Sequence, residues 1–359
     1  MKIDIFVPPQ FDKAPLDIDW LNRSLGKNMH FASQGRHALF HILKALDVKG
    51  KVLVPAFICE SILDPLRKLG ISPVYYDLET TDLNASIESI RFLSTQNNIT
   101  ALLVASMYGN AANITAIERF CFEKGIILID DAAQSFGATL DGRIIGTFGN
   151  AGFFSFSPGK PTSGHMGAFF WTDRDNYSFN KTNHCITHWA TYLDFYFNRL
   201  NRYRYNKRLI FGIFTKLKNL FMRFNDITYD GICDFEVKIL GGILQSLNKG
   251  NFNFRNDWAA SFEKKFENNK YFRVIKSLRG KPSHHKIVIL CKDKDTTDRL
   301  KDYLINSDIF CLAGYNPLTY DMTNLPNTKS VIGRILELPI ENDNSKMNYL
   351  IDTVAAFKT

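Results

Sequence analysis

Two adjacent carboxylates, Asp130 and Asp131, end the apolar run IILIDD, and a single lysine, Lys160, follows in the turn SPGKPTSG between two further apolar runs. Those residue types suit one kind of chemistry. An amine can anchor an aldehyde covalently and then return as an acid or base, while a carboxylate can hold a ring nitrogen protonated so that the ring accepts electron density. That is the pairing a pyridoxal phosphate enzyme needs. Each residue also has an ordinary reading: an isolated turn lysine is usually solvated, and an aspartate after a strand often caps the next helix.

The phosphate of such a cofactor needs an anion site. A helix N-terminus provides one, because its first N–H groups lack intrahelical partners and the helix dipole favours negative charge. SQGRHALFHILKAL has that form, with Gly35 in the turn and then Ala38, Leu39, Ile42, Leu43 and Leu46 at helical spacing. His184 and His188 stand four residues apart, as two metal ligands on one helix face would, but no glutamate or cysteine set accompanies them. No metal site is expected.

The elements that must position these residues alternate. KVLVPAF (51–57) and ITALLVAS (99–106) are short apolar, β-branched runs and predict strands. After Asn113, residues Ala116, Ile117, Phe120 and Cys121 share one helical face, and Gly125 stops that helix before strand IILID. Strand, crossover helix and strand make a parallel βαβ unit, whose ligands bind beyond the carboxyl ends of the strands, where Asp130 and Asp131 fall. After Lys160 comes a short strand, AFFWT. From Asn248 onward the pattern reads as strand KIVILC, helix TTDRLKDYLINS, strand IFCL, strand RILELP and a last helix with Ser345 as its N-cap, a small α+β domain.

In this order the sequence resembles the DegT/DnrJ/EryC1/StrS family of sugar-nucleotide aminotransferases, whose core reads roughly EDxAQxxGA and then GxFGDxGxFSFxPxKxxxxGEGG. Here the corresponding stretches are DDAAQSFGA, GTFGNAGFFSFSPGK and SGHMG. The likeness extends from about Phe31 to the end, through VPAFICESILDPLRKLGISPVYYDLETTDLN, MYGNAANITAIERFCFEKG and RILELP, and is weakest between Asp173 and Asn248.

The resemblance implies an α/β protein of the aspartate-aminotransferase-like fold type I of PLP-dependent transferases. Its large domain, residues 1–247, would hold a mainly parallel mixed sheet and include a basic aromatic segment at about 181–223; residues 248–359 would form the small C-terminal α+β domain. The resemblance also implies pyridoxal 5'-phosphate anchored on Lys160, Asp131 on the pyridine nitrogen and Gln134 beside the ring. Ser155 and the backbone amides around Gly35, Arg36 and His37 would hold the phosphate. Alternation along FFSFS equally makes Ser155 a small filler of its strand. Tyr315, in AGYNPL, matches a late segment that approaches the active site.

Three positions depart from the family pattern. Cys59 stands where an aromatic usually stacks on the cofactor, so stacking comes from Phe57, from His37, or not at all. His165 replaces a glutamate, and Cys233 or Asp234 falls where an asparagine of the neighbouring subunit would reach the phosphate.

Composition bounds the rest. A chain of 359 residues with 45% hydrophobic and 22% charged residues suits a large α/β domain plus a smaller one. The N-terminal stretch lacks a secretory pattern, and no apolar run approaches the ~18 residues of a membrane span. Six scattered cysteines predict buried thiols in a reducing cytoplasm. The formal charge is +8, and residues 181–223 hold nine Lys or Arg against Asp194 alone, so they carry the whole surplus. That segment suits a solvated face around a subunit contact, an entrance for a pyrophosphate-bearing substrate, or peripheral contact with anionic lipid.

The resulting expectation is a cytoplasmic, homodimeric PLP-dependent aminotransferase. It would transfer an amino group, by analogy from glutamate, to a keto-deoxysugar linked to a nucleotide, for polysaccharide or glycoconjugate biosynthesis. A PLP enzyme acting on an amino acid or another small ketone is the nearer rival. A non-catalytic PLP-binding protein with a basic contact surface is the rival from another class, and no nucleic acid is expected as partner.

Overall fold

The structure, a computed structural model, describes residues 2–3, 14–156, 160, 167–174, 241–242, 244–245 and 253–358. The basic segment 181–223, the expected 247/248 domain boundary, His165, His184, His188, Cys185, Cys233 and Asp234 lie outside the described residues.

In chain order the first part comprises α1 (Ile18–Leu25), β1 (His30–Ala32), α2 (Gly35–Ala45), β2 (Lys51–Pro55), α3 (Leu63–Lys68), β3 (Ser72–Tyr76), α4 (Ile87–Gln96) and β4 (Ile99–Ala105). It continues with α5 (Ile114–Lys124), β5 (Ile127–Asp131), β6 (Thr139–Leu140), β7 (Arg143–Ile144), β8 (Ala151–Ser155) and β9 (Ala168–Thr172). Seven strands form one sheet in the order β1-β9-β8-β5-β4-β2-β3. The pairs β2 to β3, β2 to β4, β4 to β5 and β5 to β8 are parallel, and β9 runs antiparallel to both β8 and β1.

Both faces of this sheet are covered, and side-chain alternation decides which residue goes where. Val52, Val54, Leu103, Ile129 and Phe153 pack with α2 and α3 on one face. Leu53, Leu102, Val104, Leu128 and Phe154 pack with α4 and α5 on the other. Helix α5 ends where the sequence predicts, on Gly125 in the left-handed region at φ 65°.

The second part comprises α6 (Phe254–Lys265), β10 (Phe272–Val274), β11 (Lys286–Cys291), α7 (Lys294–Asn306), β12 (Leu312–Ala313), α8 (Pro326–Val331), β13 (Ile335–Pro339) and α9 (Asn344–Ala356). Its sheet, ordered β10-β11-β13-β12, is antiparallel throughout. Alternation again divides the residues: Ile287, Ile289, Leu336 and Leu338 face α6, α7 and α9, whereas Val288, Leu290 and Ile335 join the core shared with α2 and the large sheet.

Asp77, which follows β3, ties the two parts together. Its carboxylate accepts from the amides of Asn327 and Thr328 and from the Thr328 hydroxyl, at 2.8, 2.7 and 2.6 Å, at the start of α8.

Two local expectations are corrected. Helix α9 is capped by Asp343, whose carboxylate accepts from the Lys346 amide at 3.1 Å, so Ser345 lies inside the helix. The expected strand IFCL shrinks to Leu312–Ala313, because Ile309 and Phe310 engage Ile3 near the N-terminus instead. Cys121, Cys291 and Cys311 are buried free thiols, pushed up to about 12, 11 and 12 with burial as the main cause, and Cys59 is half-buried. Among the described residues no helix is long and apolar enough to cross a membrane, and no group of side chains could hold a metal ion.

Candidate active site

Strand β5 delivers two neighbouring carboxylates to opposite faces of the sheet. Asp130 points to the α5 side, where its Oδ2 accepts from the amides of Gly146 and Phe148 at 2.6 and 3.1 Å. Its Oδ1 is buried without a hydrogen-bond partner among the described residues. Burial, with the charge of Asp131 adding to it, pushes the Asp130 carboxyl up to about 8 against the pull of those amides. Asp130 is therefore a scaffold carboxyl that shapes the loop before β8.

Asp131 continues the face of Ile129, beside Phe153 of β8, with which it pairs in register. One oxygen accepts from the Ala133 amide at 2.8 Å, so the local capping role is present as well. Burial raises its carboxyl to about 6; the positive charge of Lys160 and the Ala133 amide oppose that rise. Lys160 is half-buried. Desolvation lowers its amine from the ordinary lysine range, against the negative charge of Asp131, with Cys59 acting in the same sense, and Lys286 lowers it further while Glu337 raises it. The lysine and carboxylate are thus brought together, each sensing the other's charge.

The N-terminus of α2 lies on the same face. Its first helical hydrogen bonds are donated by His37 and Ala38 to the Gln34 carbonyl, so the Gly35 and Arg36 amides precede the intrahelical ladder. A Cβ at Gly35 would stand 3.1 Å from the Ser155 Cβ and 3.3 Å from its Oγ. That close approach puts the buried Ser155 hydroxyl at the helix start. The side chains of Arg36 and His37 are directed by other partners: Arg36 donates to Gln34 at 2.6 Å and forms an ion pair with Asp64 at 2.9 Å, and His37 Nδ1 is 2.5 Å from the Ser33 hydroxyl. Arg36 therefore offers this site its backbone rather than its charge.

Gln134 is buried. Its Oε1 accepts from the Tyr108 amide at 3.3 Å, and its Nε2 donates to the Tyr315 hydroxyl at 3.2 Å. Tyr315 packs edge-on against Phe57, with ring centroids 5.8 Å apart, which draws Phe57 into an aromatic pair with the second part of the chain.

Sequence reasoning missed four residues here. Tyr108 sits at φ 58°, in the left-handed region that a bulky side chain rarely adopts. Its ring lies between His285 and Tyr315, with centroids 6.5 and 6.4 Å away, and its hydroxyl donates to Glu337 at 3.0 Å. The other Glu337 oxygen is paired with Lys286. Alternation placed both residues on the sheet face that also carries Val288 and Ile335. The signal was available in KIVILC and RILELP, where a charge occurs in register with core residues of an apolar strand.

These residues fit pyridoxal phosphate. A desolvated amine and a buried carboxylate sense each other's charge, and a helix start closes on a strand hydroxyl with no side chain at Gly35 between them. Gln134 is fixed at its edge. The expected stacking aromatic is absent at Cys59, whose Sγ lies 3.2 Å from the Ser61 hydroxyl.

The mixed seven-stranded sheet, the small antiparallel sheet packed beside it and the lysine at the carboxyl ends of the strands define a fold-type-I transferase architecture. The aminotransferase TlmJ from Streptoalloteichus hindustanus has the same fold, at a TM-score of 0.75 and 17% identity over 99% of this chain and 98% of that one. Residues 27–205 match the DegT/DnrJ/EryC1/StrS aminotransferase family, and the chain belongs to it.

Among curated relatives, a GDP-perosamine synthase from Vibrio cholerae is 31% identical over 144 residues, 39% of either chain. A UDP-2-acetamido-2-deoxy-3-oxo-D-glucuronate aminotransferase from Pseudomonas aeruginosa is 32% identical over 145 residues, 39% of this chain and 40% of that protein. The matches thus span about two fifths of the length of these relatives.

Proposed function

We propose that this protein is a PLP-dependent aminotransferase that passes an amino group from an amino acid, by analogy glutamate, to the ketone of a nucleotide-linked deoxysugar destined for a glycoconjugate. The observation that carries the reading is the Lys160–Asp131 pair, held at the carboxyl end of β5 with its charges mutually supported. Family membership and the nucleotide-sugar names of the relatives support the substrate class.

When bound, the cofactor supplies an aldehyde for covalent attachment and a ring that accepts electron density. Asp131 holds a proton at the ring nitrogen. Lys160 would provide the covalent anchor, and its amine, when free, would take up and return the proton of the substrate carbon that bears nitrogen. The Gly35 and Arg36 amides with the Ser155 hydroxyl bind the phosphate. Gln134 borders the ring, fixed from both ends by Tyr108 and Tyr315.

In this reading the enzyme works as a cytoplasmic homodimer. The segment 181–223 serves a subunit contact, substrate entry or peripheral contact with lipid. Sedimentation velocity of the parent, and flotation with anionic vesicles of a variant with Arg202, Arg204, Lys207 and Arg208 changed to glutamine, test those two points.

The decisive experiment is Lys160→Ala. It is expected to abolish both the visible absorbance of a lysine-linked aldehyde and the transfer of labelled nitrogen from glutamate to a nucleotide-linked ketosugar. A folded Lys160→Ala protein that turned over at the parent rate would remove the catalytic assignment.

A further inference from the structure

The strand that begins at Lys286 and the strand that carries Glu337 belong to the four-stranded sheet, outside the βα elements that present Asp131 and Lys160. Their side chains are nevertheless buried, at 6% and 3% exposure, and joined as an ion pair. Burying such a pair costs more than burying two apolar residues of the same size unless its remaining hydrogen-bonding capacity is met. Tyr108 meets part of it, because its hydroxyl donates to the second Glu337 oxygen at 3.0 Å.

The same tyrosine is gripped from several sides. Its amide donates to Gln134, its ring lies between His285 and Tyr315, and Gly109 after it admits the Ser283 carbonyl where a Cβ would approach to 2.3 Å. Backbone strain of the Tyr108 kind persists only where the surroundings over-determine it, and it collects at functional sites.

We propose that Glu337 and Lys286 are positioning residues of the active site, which hold Tyr108 in its strained conformer, fix Gln134 and Tyr315 through it, and set the balance of charge around Lys160. The proposal rests on the reading of Lys160 as covalent anchor. The charged or titratable groups whose charge is felt between them and that amine are Asp131 from β5, Cys59 from the loop after β2, Lys286 from β11, Glu337 from β13 and the buried His285 beside Lys286. Glu337 favours its protonated form and Lys286 disfavours it, so the two members of the pair act on Lys160 in opposite senses.

This opposition separates positioning from mere structural support. The test is trinitrobenzenesulfonate labelling of Lys160 in the full chain freed of cofactor, read site by site from peptide masses across pH. Glu337→Gln removes a negative charge, so more of the amine is neutral and labelling at neutral pH is expected to rise about threefold or more. Lys286→Met removes a positive charge and is expected to slow it by a similar factor. The double variant is expected to return toward the parent.

Tyr108→Phe keeps both charges and loses one hydrogen bond. Its labelling profile is expected to match the parent, while pyridoxamine 5'-phosphate binds about three- to tenfold more weakly, because the loss of the hydroxyl bond to Glu337 frees Tyr108 to relax and its amide no longer holds Gln134 in place. Because labelling needs neither cofactor nor turnover, a failure to transaminate would leave it interpretable.

The proposal is overturned if both charge variants, shown folded by their melting transitions, shift labelling in the same direction or leave it unchanged. Should either variant not fold, Tyr108→Phe decides: parent-like pyridoxamine 5'-phosphate binding overturns the proposal, and weakened binding with an unmoved labelling profile supports it.

Discussion

The side-chain amide of Gln134 donates to the Tyr315 hydroxyl at 3.2 Å, across 181 positions of sequence. This contact joins the turn after β5, where Asp131 ends its strand, to the segment before Pro317 that pairs with Phe57. Tyr315→Phe would keep the ring against Tyr108 and Phe57 and leave Gln134 Nε2 with the weak acceptor Met107 Sδ at 3.6 Å. The expected cost is about 1 kcal/mol of stability, with cofactor affinity weakened up to about tenfold. Urea unfolding and cofactor titration measure the two effects separately, and unchanged affinity would confine Tyr315 to packing.

Asp131→Asn keeps size and hydrogen bonding but removes the charge. Cofactor is expected to bind still, while the proton-transfer step slows about 100-fold or more, as when a fixed electrostatic partner is withdrawn from a buried site. Because the carboxyl titrates at about 6, cofactor affinity in the parent should fall as pH drops through that value and the negative charge is lost. The asparagine variant should lack that fall. Parallel profiles of affinity against pH between 5 and 8 would assign Asp131 to the scaffold.

Asp130 gives a separate stability signature. Its folded carboxyl is raised from 3.8 to about 8, so the folded state holds a proton that the unfolded chain releases above its ordinary range. The sign follows from linkage: the stability tied to this proton is complete below the ordinary carboxylate range and is lost as pH rises through about 8. Asp130→Asn is expected to flatten the decline in melting temperature between pH 5 and 8.5 in cofactor-free protein. A variant whose curve declines as steeply as the parent's would show that another group is responsible.

Gly35→Ala tests the cradle. Helix preference favours alanine by roughly 0.5–1 kcal/mol, whereas the new Cβ would crowd Ser155 at 3.1 Å and press on the helix start. We expect a change in stability within about 1 kcal/mol and a larger loss in affinity for pyridoxamine 5'-phosphate, about tenfold. An unaffected affinity, read by isothermal titration, would move the phosphate away from this turn.

The sequence alone marked six of the strands and put a carboxylate pair and a lysine forward as candidates. Short apolar, β-branched runs marked β2, β4, β5, β9, β11 and β13 within a residue or two, because strands buried on both faces are apolar at nearly every position. The sequence also put two carboxylates at the end of β5 and, through the motif around Lys160, named the lysine that meets one of them. Local reading was weaker where alternatives compete within a few residues, as at Asp343 and Ser345, where a carboxylate took the cap from a hydroxyl.

What only the tertiary structure decided are the partners. The motif offered the Arg36 backbone amide to the phosphate and left its side chain unassigned; Asp64, 28 positions away, takes the guanidinium. Tyr108 and Glu337 are 229 positions apart, and nothing in either segment specifies the other. A hydrogen bond or ion pair depends on which faces two separately formed sheets turn toward each other. That choice is made by burying Val288, Leu290 and Ile335 against the large-sheet core, and Lys286 and Glu337 are carried to the site because they share that face.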